Sequence, residues 1–165
     1  MTLFRSSLKF LALMGTLAFG LAGLITVTDI LLRIFSNTGV NGVVDYVQLF
    51  VVSGAFLGMP YTFFEQKHVR VELVLDLLRA KWRRRLWIVT ILITLAVVCG
   101  LSWYSWKGML GVVDRGDISM NIALPMWLYW LPMVLGLVLS CVALVVLLLK
   151  PLLRGSTNTN ESLPQ

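Results

Sequence analysis

Four long apolar runs divide the chain: Phe10–Leu32, Val43–Phe64, Leu86–Trp106 and Trp127–Leu149. Each is close to the ~20 residues that a helix needs to cross the hydrocarbon core of a bilayer. Apolar character sustained over such lengths predicts membrane-spanning helices, because a soluble core would show shorter segments with alternating polar faces. The polar stretch Glu65–Arg85 differs from the other connections. There Val71, Val74, Leu75, Leu78 and Trp82 recur at helical spacing, with Glu72, Asp76, Arg79 and Arg83 on another face. That pattern predicts an amphipathic helix over about residues 69–82, lying in the plane of the membrane interface. The expected fold is all-α and integral to the membrane, with four spans and one interfacial helix inside residues 1–154. The polar tail over 155–165, GSTNTNESLPQ, is read as disordered.

Composition agrees: 58% of the 165 residues are hydrophobic, too many for an ordinary soluble domain. The distribution of the basic residues then orients the spans. Arg5 and Lys9 precede the first run, Lys67, Arg70, Arg79, Lys81, Arg83, Arg84 and Arg85 lie between the second and third, and Lys150 and Arg154 follow the fourth. The other two connections hold only Arg33, Lys107 and Arg115. An excess of Lys and Arg marks the cytoplasmic side, so both termini are expected there. The net charge of +6 is thus a matter of orientation and of anionic lipid headgroups, with no nucleic acid implied. Trp82 and Trp87 at one end, and Trp103, Tyr104, Trp106, Trp127, Tyr129 and Trp130 at the other, match the aromatic belts of the two membrane–water boundaries. The first run is longer than a typical leader's apolar region and no small-residue cleavage site follows it, so a cleaved leader is not expected. Cys99 and Cys141 have no metal-like or redox-motif spacing; they read as apolar packing residues, with no disulfide expected.

Small residues mark candidate packing faces. Thr16 and Gly20 lie four apart in run one; Ser53, Gly54 and Gly58 cluster in run two, the glycines at GxxxG spacing; Gly136 and Ser140 lie four apart in run four. Such faces let helix backbones approach closely in lipid, and they are candidates for packing against a partner subunit. Met59-Pro60 is a candidate kink near the inner end of run two. Toward the outer side, Asp29 and Arg33 form an i,i+4 pair that can neutralise itself, and Asp45 opens run two. The outer connections, SNTGVNG with Asn37 and Asn41 and the stretch Lys107–Pro125 with Asp114, Arg115 and Asp117, are expected as loops whose polar groups could meet a soluble partner.

Candidate chemistry is sparse. A single histidine, His68, cannot supply the two axial ligands of a bis-histidine haem, nor a histidine-based zinc site. No phosphate-binding loop, nucleophile elbow or zinc-protease helix motif is present, so no catalytic, cofactor-binding or metal-binding residue is assigned. The middles of all four runs contain no Asp, Glu, Lys, Arg or His. An ion-coupled carrier is expected to hold such a group at depth. Its absence from the sequence favours an accessory role over transport in its own right. The alternative is a small four-span drug or cation exporter acting as a dimer, for which Asp29 lies too near the end of its span.

Several segments, in order, resemble one family. Asp29-Ile-Leu-Leu-Arg33, Asp45 and Gly54–Gly58 are followed by Gln66-Lys67-His68-Val69-Arg70-Val71-Glu72-Leu73, and later by Gly116-Asp117-Ile118-Ser119 and Leu124-Pro125-Met126-Trp127. Together they are similar to the small, DctQ-like membrane subunit of tripartite ATP-independent periplasmic (TRAP) transporters, over nearly the whole chain. His68, Arg70 and Glu72 fall on the family's signature after the second span. The chain departs from the family in Glu65-Gln66-Lys67 before that histidine, and in Asp45 where glutamate is frequent. The resemblance implies a multi-pass protein of the bacterial inner membrane, without cofactor, bound to a large sodium-coupled membrane subunit. It also implies a periplasmic binding protein that delivers an organic acid.

Overall fold

A computed structural model describes residues 2–65 and 80–154. Four helices account for most of them: α1, Thr2–Ser36; α2, Val43–Phe64; α3, Ala80–Arg115; and α4, Trp127–Arg154. All four are long and apolar enough to cross a membrane, as the four runs predict. Most of the interfacial helix expected over 69–82 lies outside the described residues, and from Ala80 the chain already belongs to α3. The tail 155–165 is also outside them.

Helices α1 and α3 outrun the bilayer furthest. At 1.5 Å per residue, the 35 residues of α1 and the 36 of α3 extend about 52 and 54 Å, against a hydrocarbon core of ~30 Å. The expected loop Lys107–Pro125 is accordingly corrected: helix α3 continues to Arg115 and the loop begins at Gly116. Side chains explain the extension. The Lys107 ammonium lies 5.2 Å from the centre of the Trp103 ring one turn below. Gly108 lets Trp130 of α4 lie against the α3 backbone; a methyl group at Gly108 would come 2.5 Å from Trp130 Cζ3. Val112, one turn further, is buried. The helix ends by a Schellman motif, with Gly116 at φ 64°, its N–H donating to the Val113 carbonyl and that of Asp117 to the Val112 carbonyl.

The helices pack in the spatial order α1–α2–α4–α3, an open row in which no other pair makes an extended contact among the described residues. At the α1–α2 joint, Gly15 faces Gly54. A methyl at Gly15 would fall 2.9 Å from the Gly54 carbonyl oxygen, and one at Gly54 would fall 2.7 Å from Phe19 Cδ2. The far end of this joint is closed by the Arg5 Nε–Glu65 Oε1 ion pair at 2.7 Å and by edge-on contact of Phe4 and Phe64, centroids 5.6 Å apart. At the α2–α4 joint, Gly136 lies against the Phe56 carbonyl. Pro60 sits four residues after Phe56 and has no N–H, so that carbonyl lacks its helical donor. The small backbone of Gly136 covers it. Ser140, fully buried at 0% exposure, donates its hydroxyl to the Gly136 carbonyl at 2.7 Å. Next to this joint, Leu137 and Leu144 of α4 pack with Val98 of α3, with Phe56 and Phe63 of α2 around them, so the three helices share one core.

Substituting Gly136→Ala forces a methyl onto the Phe56 backbone and should lower stability by about 1–3 kcal/mol, the usual cost of overpacking. Gly20→Ala, whose added methyl meets nothing within 4 Å inside a helix, should not lower stability and can raise it by up to about 1 kcal/mol. Thermal unfolding of both variants in one detergent checks the pair; equal unfolding temperatures would show that α4 does not pack closely on Phe56.

Candidate functional site

The end of the row that holds the α1–α2 and α3–α4 loops carries the densest polar structure described. Two carboxylates organise it, Asp29 and Asp45, each only 6% exposed. Asp29, in the last turns of α1, accepts the Val40 N–H at 2.7 Å through Oδ1 and pairs through Oδ2 with Arg33 Nε at 2.8 Å. One oxygen therefore folds the 37–42 loop back onto α1, while the other holds the charge that balances it. Asn37, at φ 50°, starts this loop in the left-handed region that asparagine tolerates.

Asp45 stands in the first turn of α2, where a negative charge suits the helix dipole. Gly42 caps that helix at φ 73° without a side-chain hydrogen bond. The Asp45 carboxylate turns instead to the α3–α4 loop. It accepts the Ser119 hydroxyl, the Asn121 side-chain amide at 3.2 Å and the Ile122 backbone N–H at 3.2 Å. Charged acceptors give stronger hydrogen bonds than neutral ones, so three donors on one buried carboxylate make a firm tether. The tethered loop is itself a narrow turn: Ser119 N–H donates to Leu124 at 2.8 Å and Met126 N–H to Asp117 at 2.9 Å, with Ala123 at φ 53° between them. Ile122 packs on the bare face of Gly42, so the two loops meet directly.

Beside that meeting point opens a cavity of about 390 Å³, lined among others by Arg33, Asn37, Asn41 and Asn121. It offers a guanidinium and three amides for hydrogen bonding. No group of three His, Cys, Asp or Glu that could hold a metal occurs among the described residues.

The structure distributes the sequence-selected residues over several places. Asp29, Arg33, Asp45, Asn37 and Asn41 come together at this loop end. Asp114, Arg115 and Asp117 lie at the end of α3 and do not line the cavity; Arg115 Nε donates to Asp117 Oδ2 at 3.0 Å. Gly54, Gly136 and Ser140 face helices of this same chain. Thr16 and Gly20 lie on the exposed side of α1, and the Thr16 hydroxyl is turned onto the Ala12 carbonyl. Ser53 likewise donates to Leu49, and a methyl added at Gly58 would meet nothing within 4 Å. His68, Arg70 and Glu72 lie outside the described residues. Sequence reasoning missed Asn121 and Ile122, and quoted Ser119 only within a family segment. They are more than 70 positions from Asp45, and nothing local marks them as its partners.

Asp45→Ala should release the α3–α4 loop. With about 1.5–3 kcal/mol per hydrogen bond to a charged group, and ~1.4 kcal/mol per factor of ten, amide exchange at Ile122 should accelerate roughly 10- to 100-fold. Asp114→Ala, an exposed neighbour, should leave that rate unchanged. Hydrogen–deuterium exchange with peptide-level mass spectrometry makes the comparison.

The family model described as tripartite ATP-independent periplasmic transporters, DctQ component, matches residues 22–154. No curated protein matches the chain.

Proposed function

The chain belongs to the DctQ family of tripartite ATP-independent periplasmic transporter components, and on that premise we propose that it is a non-catalytic small membrane subunit that braces a large, sodium-coupled membrane subunit during uptake of an organic acid. A periplasmic binding protein delivers the solute, and the chain sits in the bacterial inner membrane with both termini in the cytoplasm. The family match over residues 22–154 carries this proposal. The excess of basic residues at the termini and between runs two and three supports the orientation.

Physical features of the chain support the bracing role. A support must resist sinking or tilting when its neighbour moves through the membrane. Aromatic residues at both boundaries and helices that overrun the bilayer oppose such displacement, as would the amphipathic segment that the sequence pattern predicts over 69–82. The row also leaves broad apolar surfaces uncovered, including Leu17, Leu24 and Val27 on α1 and Val89, Ile93 and Val97 on α3. On α1, Thr16 and Gly20 give a partner helix room for close approach. Gly58 adds a second small site on α2. The loop end, with Asn37 and Asn41 held around their cavity and Asp114, Arg115 and Asp117 nearby, faces the periplasm in this orientation and is the surface available to the binding protein.

Vesicles containing this chain alone should take up no labelled dicarboxylate or sialic acid under an inward sodium gradient. Vesicles that also contain the large subunit, supplied with binding protein, should take up their solute. Uptake by the isolated chain would reject the proposal. Gly20→Leu should reduce co-purification of the large subunit without lowering the chain's own unfolding temperature; undiminished recovery would remove this face of α1 from the interface.

A further inference from the structure

Cys99 of α3 and Cys141 of α4 are the chain's two cysteines, and the fold brings them together. Both are free thiols, with their Sγ atoms 3.3 Å apart. The residues lie 42 positions apart on different spans, and without a metal-like or redox-motif spacing the sequence reads them only as apolar packing residues. The position of the pair matters for two reasons. First, α3 is at the edge of the row and, among the described residues, has α4 as its only extended helix contact, so the thiols lie at that joint. Second, Cys99 is exposed at the margin of the α3–α4 joint, on a helix long and apolar enough to cross the hydrocarbon, while Cys141 is half-buried beside Leu137 and Leu144. A reagent dissolved in the lipid therefore reaches Cys99 first, with Cys141 directly behind it.

We propose that Cys99 and Cys141 form an oxidation site for lipid-soluble hydroperoxides, which convert the two thiols into a disulfide that ties α3 to α4. The chemistry balances without any other reactant. The Cys99 sulfur attacks the terminal peroxide oxygen, the O–O bond breaks, and the lipid leaves as an alcohol that takes up the thiol proton. Cys99 is then a sulfenic acid. The Cys141 sulfur attacks the Cys99 sulfur, the S–O bond breaks, and the hydroxyl leaves as water with the second thiol proton. One hydroperoxide is reduced by two electrons and two thiols are oxidised to one disulfide. Closing the sulfurs from 3.3 Å to a bond of about 2.05 Å needs a shift of roughly 1 Å. The disulfide replaces a joint made of apolar contacts with a covalent one, reversible by a thiol reductant.

The test uses the full chain in phospholipid vesicles, treated with cumene hydroperoxide as the lipophilic oxidant. The intact mass of the wild-type chain should fall by about 2 Da, and both thiols should stop reacting with maleimide until dithiothreitol is added. Cleavage should yield the Cys99 and Cys141 peptides joined. In C141S the reaction should stop at the Cys99 sulfenic acid, trapped by dimedone. The oxidised wild-type chain should unfold at a higher temperature than the same sample after reduction. Retention of two maleimide-reactive thiols, addition of oxygen without a disulfide, or cross-links between separate chains would each overturn the proposal.

Discussion

The contact between Gly136 and the Phe56 carbonyl is the constraint around which the helices are arranged. Inside a bilayer no water can satisfy a bare carbonyl, and leaving one exposed to hydrocarbon costs several kcal/mol. Pro60 creates that problem in α2 by withholding the N–H that would have bonded Phe56. Gly136 keeps that oxygen away from the lipid, because a residue without a side chain lets the α4 backbone lie directly against it. With α4 seated so closely on α2, Leu137 and Leu144 gather Val98 of α3 beside Phe56 and Phe63, and α1 packs on α2 through Gly15 and Gly54. The order α1–α2–α4–α3 follows from where the close approaches are permitted.

The loop end uses a second economy. Two acidic side chains that would be costly in an apolar layer are placed where each can organise a loop. Asp29 keeps its own counter-charge, Arg33, in the same helix, and spends its second oxygen on Val40. Asp45 has no such cation among the described residues and is stabilised instead by Ser119, Asn121 and Ile122 from a distant part of the chain. The first arrangement is local and could be anticipated from i,i+4 spacing. The second exists only once α2, α3 and α4 have assembled, so an ordered α3–α4 loop is a product of the tertiary fold.

That difference explains what the sequence disclosed. The four spans were legible because length and continuous apolarity leave a helix few alternatives in lipid. Asp29–Arg33 was legible for the reason just given. The end of α3 was not: Lys107 and Gly108 look like the start of a loop, and only contact with Trp103 and Trp130 reveals them as helix. The small residues were found, but their neighbours were not. Gly54 and Gly20 look alike in the sequence, yet one is pressed against α1 and the other is open. The distance between Cys99 and Cys141 was hidden because it depends on the rotation of two helices about their axes.

The open row has a consequence for permeation. To line an aqueous path, helices must encircle it, and in this chain α1 and α3 stand at opposite ends of the row and make no extended contact among the described residues. Any conduit running beside this protein must therefore take at least part of its circumference from another polypeptide.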